Sequence, residues 1–115
     1  MAVIAAETHE ALSGISGGDV KLLDEAMGLR ESELTATGLD ARTFALVKVA
    51  TLIAMDAPPA SYAWQVANAV QDGATPEDIL GVLRAVAPQV GGPKVVAAAP
   101  EIMMALGLSL PEGVE

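Results

Sequence analysis

The stretch Leu39–Gly73, LDARTFALVKVATLIAMDAPPASYAWQVANAVQDG, decides the fold. Asp40 is a good N-cap for a helix from Ala41 to about Met55, because its carboxylate can accept from the unpaired amides of a first helical turn. Phe44, Val47, Leu52 and Met55 supply the apolar positions of that helix, and Leu46, Val49 and Ile53 carry the apolar surface beyond one face. A helix apolar almost all round is buried, or half buried within an oligomer. Asp56 and Pro58-Pro59 stop it. Pro59 suits the first turn of a second helix running to about Asp72, with Gly73 in the C′ position.

The punctuation continues on both sides of this stretch. Thr75-Pro76-Glu77-Asp78 combines a Thr cap, proline at N1 and acid in the first turn, where the helix dipole favours negative charge. Ile79, Leu80, Leu83, Val86 and Ala87 carry that helix to Gly91-Gly92. Pro93 opens a last helix with Val95, Val96, Ile102, Met103 and Leu106 as core positions, and Pro100 inside it is expected to kink or split it. Upstream, Val3–Ser13 reads as a helical turn or two, broken by Gly14, Gly17 and Gly18. Asp19 caps a segment in which Val20, Leu23 and Met27 recur at helical spacing, ending near Gly28. A short acidic piece around Arg30–Thr37 ends at Gly38. No segment alternates like a strand, so the expected fold is an all-α bundle of about five to six helices joined by short antiparallel connections. The expected organisation is a leader over 1–18, one helical domain over 19–108 and a tail over 109–115.

Composition narrows the function classes. The 115 residues fit one domain. The apolar fraction is 52 %, much of it alanine, with a single Trp, Tyr and Phe. Alanine contributes little burial but lets helices approach closely. A small domain of this kind gains from self-association, so a homo-oligomer is expected. The net charge of −9 argues against a nucleic-acid or anionic membrane partner. With no cysteine there is no disulfide, no thiolate nucleophile and no Cys-ligated metal. Neither a basic-then-apolar signal segment nor an apolar run long enough to span a bilayer is present, which implies a soluble, cytoplasmic protein.

The order of these motifs resembles the carboxymuconolactone decarboxylase family, which includes the AhpD-like alkylhydroperoxidases. Leu39-Asp40-Ala41-Arg42-Thr43 resembles the opening of the family's central buried helix. Ala67–Thr75, ANAVQDGAT, resembles its A-x-x-x-G-A-T/S turn, and PEDILGVL and VGGPKVVAAA resemble the segments after that turn. The likeness covers about residues 19–108. It implies an AhpD-like bundle that assembles as a trimer or hexamer.

Carried over position by position, the resemblance implies a member without the family's working groups. Its thiol-dependent members use two cysteines and a histidine at positions that fall on Pro58, Ser61 and Gln65. Its histidine-only members place the histidine at Gln65 as well, and the usual acid falls near Ala45. Peroxide reduction by a thiolate needs a sulfur nucleophile, so that activity is excluded, as is proton shuttling by histidine at the family position.

What remains is a polar step. Ser61, Gln65, Asn68 and Asp72 share one helix face, either as a solvated stripe or as the wall of an inherited pocket. In a pocket, Ser61 and Gln65 would hydrogen-bond a carbonyl, a carboxylate or a developing oxyanion, but neither titrates near neutral pH. Lys48 is the one cation of its helix beyond the first turn, either a snorkelling side chain or an anion-binding lysine. Tyr62 and Trp64 flank Gln65 as core, interface or pocket-wall residues. The candidate pocket is therefore Lys48, Ser61, Tyr62 and Gln65. His9 reads as a surface residue, and no cluster of N, O or S ligands suggests a metal or a cofactor. Two functions are compatible with these residues. One is a cofactor-free lyase or isomerase, or binder, for a small carbonyl or carboxylate compound. The other is a catalytically inactive helical oligomer serving as a binding or assembly module.

Overall fold

In the computed structural model, residues 3–19, 21–22 and 30–112 are described. Six helices are present among them: α1 (Ala6–Ser16), α2 (Arg30–Thr37), α3 (Ala41–Met55), α4 (Pro59–Gln71), α5 (Pro76–Val90) and α6 (Gly92–Ala105). The fold is all-α, with no strand among these residues. None of these helices is long and apolar enough to cross a membrane. The expected core positions Val20, Leu23 and Met27 lie outside the described residues. Asp19 does act as a cap, its Oδ1 accepting from the Leu22 N–H at 3.0 Å.

Local chemistry sets the boundaries. Asp40 accepts from the Thr43 backbone N–H at 2.8 Å and from its hydroxyl at 3.1 Å; these bonds hold its carboxyl below the usual carboxylate range. At the start of α5, Thr75 Oγ1 accepts from the Asp78 N–H and Asp78 Oδ2 accepts from the Thr75 N–H, a reciprocal capping box. Four helix ends close with the same paired bonds, in which the C′ amide and the next one bond back to the last turn. At α4, Gly73 takes the left-handed turn at φ 96°, a conformation glycine adopts without steric cost. At α3 the same position is Asp56, at φ 53°. The last turn of α3 is also held from across the fold, where Lys94 Nζ donates to the Ala54 carbonyl at 2.7 Å.

Three expectations change. α1 runs through Gly14 to Ser16 instead of stopping near Ser13, because its break comes from the Gly17-Gly18 pair. α6 continues through Pro100 without splitting, and α5 likewise contains Pro88; tertiary packing holds both helices across the lost N–H. The connections are short, but they do not make every consecutive pair neighbours. α3 packs on α4 and α5, α6 packs on α4 and α5, and α4 and α5 stand at opposite corners.

The core runs down the middle of these four helices. Ala45, Val49 and Ile53 from α3, Tyr62, Val66 and Ala69 from α4, Ile79 from α5 and Ala98 and Ile102 from α6 form one buried cluster. The spacing 45, 49, 53 is a single helical stripe. Consequently Val47 and Met55, expected among the buried apolar positions of α3, are exposed, as are Leu80 and Val96. A helix apolar all round carries no signal of which face turns inward.

Candidate functional site

The α3–α4 hairpin positions all four candidate residues. Lys48 and Gln65 lie nearly equal numbers of residues from the turn at Asp56–Pro58, which sets them at about the same level of two helices that rise about 1.5 Å per residue. Lys48 is half buried, with its ammonium 4.3 Å from the centroid of the Phe44 ring one turn back. That contact is attractive through the ring quadrupole. It engages no carboxylate among the described residues.

On α4, Ser61 is half buried and its backbone N–H donates to the Pro58 carbonyl at 3.0 Å. Tyr62 is buried in the core cluster. Burial first, then the negative charges of Asp56 and Glu101, push its phenol above the ordinary value, so it stays protonated. Gln65 and Asn68 are each only 8 % exposed. Ser61 and Asp72, on the same face of α4, are half buried.

The two amides have unspent capacity. Among the described residues neither side chain hydrogen-bonds to another residue, and no fully sealed side-chain nitrogen or oxygen lacks a partner. Their polar atoms accordingly keep a narrow opening to solvent. Asn68 shares the face of Gln65 that the spacing marks, but the sequence leaves open whether that face is covered.

No side-chain hydrogen bond joins any two of Lys48, Ser61, Tyr62 and Gln65 among the described residues. Cavities among the described residues lie elsewhere. One, of about 360 Å3, is lined by α5 and α6 with Ile79, Leu83, Ile102 and Met103. Another, of about 340 Å3, lies between the end of α1 and the α4–α6 pair, with Gly17, Ala60 and Glu101. None of the four candidate residues lines either cavity. His9 is exposed.

A strong link near the hairpin was also unread. Arg42, in the first turn of α3, grips Asp78 of α5 with both ends of its guanidinium fork, Nε donating to Oδ2 at 3.0 Å and Nη2 pairing with Oδ1. With the Thr75 amide added, these contacts hold the Asp78 carboxyl down to about 2. The link orients two helices and touches none of the candidate residues.

The family model of the carboxymuconolactone decarboxylase family matches residues 21–102. The chain belongs to this family. No curated protein and no solved structure matches it. Within the carboxymuconolactone decarboxylase bundle, Ala45, near which the resemblance puts the family acid, is 1 % exposed among apolar neighbours. A carboxylate there would be buried without a titrating partner, at a cost of several kcal/mol.

Proposed function

We propose that this carboxymuconolactone decarboxylase-like chain binds a small carbonyl or carboxylate compound beside the α3–α4 hairpin. Any turnover there is cofactor-free lyase or isomerase chemistry and not thiol peroxidation. The observation that carries the reading is the buried amide pair, Gln65 and Asn68, with no protein partner for either side chain among the described residues. Their polar atoms stay open to solvent, so a ligand there exchanges bonds to water for direct bonds, each worth about 0.5–1.5 kcal/mol net. In this reading Gln65 and Ser61 donate to the ligand's carbonyl oxygen, Lys48 supplies the countercharge for a carboxylate, and the protonated Tyr62 phenol walls the site.

A second reading, a catalytically inactive helical oligomer used for binding or assembly, is favoured by Ala45, which puts a buried methyl where the family acid would stand. Both readings include a homo-oligomer, trimeric or hexameric by family resemblance, and the exposed Val47, Met55 and Val96 supply apolar surface for it.

The test is a thermal-shift screen with small carboxylic acids and lactones, repeated on Gln65→Ala and Lys48→Ala. A stabilising compound whose effect disappears in either variant supports the site. No stabilising compound, with both variants as stable as the parent, defeats it and leaves the assembly reading.

A further inference from the structure

α1 is a helix that buries no face of its own. None of its residues is buried, and among the described residues it makes no extended contact with α3–α6. Leu22 packs against α1 at Gly14, while Leu12 is 59 % and Ile15 38 % exposed and Ile4, just before the helix, 63 %. Meanwhile the cavity of about 360 Å3 between α5 and α6 opens an apolar groove. Leu83, Ile102 and Met103 line it, Leu80 and Leu108 form an exposed rim, and Glu77 is its one charged residue.

The same chain does not bring the two together. The C-terminal end of α1 is seated on the first turn of α4, where Gly18 lies so close to Ala60 that a Cβ on it would stand 3.0 Å from the Ala60 Cβ. Gly17 shares its cavity with Glu101, Met104 and Ala105 of α6. The groove is lined by Ala99, Ile102, Met103 and Leu106. At about 100° per residue these two sets occupy opposite faces of α6.

Surface area indicates what covers them. The chain exposes 7406 Å2, about 1,500 Å2 more than a folded monomer of 11.7 kDa is expected to expose. A standard stable interface removes about 800 Å2 from each partner. The excess is sufficient for one such interface.

We infer that α1 of one copy lies in the α5–α6 groove of a second copy, with Leu12 and Ile15 entering between Leu80, Leu83 and Met103. This rests on the self-association proposed above and is independent of the ligand reading. Because the chain has no cysteine, every cross-link reports an introduced pair. A Leu12→Cys chain is mixed with a Leu80→Cys chain under mild oxidation, and sedimentation is measured on the full chain carrying Leu12→Asp or Leu80→Glu. Both positions are exposed, so folding by circular dichroism should be unchanged. The expected result is a disulfide joining positions 12 and 80 of different chains in excess over either symmetric one, with association weakened about tenfold or more in each charge variant. An assembly untouched by both charge variants overturns the α1 exchange while self-association stands. A monomer at micromolar concentration overturns both. Intrachain closure in the doubly substituted chain, or an apolar small molecule held in the groove in native mass spectra, likewise overturns the exchange. None of these outcomes alters the thermal-shift test at Gln65 and Lys48.

Discussion

Asp78 makes three kinds of bond with one carboxylate: it closes the capping box of α5, accepts from Arg42 Nε, and pairs with the guanidinium at its other oxygen. These contacts favour the ionised form, which is why its pKa lies at about 2 against an ordinary 3.8. A carboxyl depressed on folding stabilises the native state fully above its unfolded pKa, and the contribution is lost as pH falls through the folded one. The window is thus about pH 4 down to about pH 2. The Tm of the parent should exceed that of Asp78→Asn by a constant margin from pH 7 to pH 5, and the margin should shrink as pH falls through that window. A margin that stays constant down to pH 2 would show that the carboxylate charge contributes nothing. At the same scale, the candidate site was only partly legible. Gln65 stands out in the sequence as a polar residue where the family carries a histidine. Its burial, and that of Asn68, depends on which way α4 turns, and a one-dimensional pattern with alanines on several faces does not specify that turn.

Among elements, α5 is the one held most sparingly of the four core helices. Ile79 is its single fully buried residue, set directly after the carboxylate that Arg42 grips. Truncating a buried Ile to Ala costs about 2–5 kcal/mol, a large share of the 5–15 kcal/mol typical of a domain. Ile79→Ala should therefore lower the urea midpoint markedly, and amide exchange should accelerate in α5 before it does in the α3–α4 hairpin. Uniform acceleration across all helices would mean that α5 opens only with the whole molecule. Helix limits were legible in the sequence because they are local: Asp40, Thr75-Pro76 and Gly73 act within a few residues of themselves. The Arg42–Asp78 grip spans 36 residues, and the placement of α4 and α5 at opposite corners of the bundle depends on how α3 and α6 fill the space between them. Neither can be read from periodicity, since α3 is apolar on every face.

For the whole molecule, charge and shape pull in opposite directions. The radius of gyration is 15.7 Å, where a single domain of this length is expected near about 13 Å. That extension accompanies the excess surface. Burying the excess requires copies that each carry −9 to approach one another, and the mutual repulsion is long-ranged at low salt. Screening falls within about 8 Å at physiological ionic strength, whereas contact between Leu12 or Ile15 and an apolar groove is not weakened by salt and is strengthened by excluded ions such as sulfate. Self-association should accordingly tighten as NaCl rises from about 10 mM, where the screening length is about 30 Å, to several hundred millimolar, as read by sedimentation equilibrium at fixed pH. The opposite trend, dissociation on adding salt, would mean that ion pairs hold the copies together, and with Lys and Arg numbering 6 per chain those pairs would have to involve the same few residues in every interface.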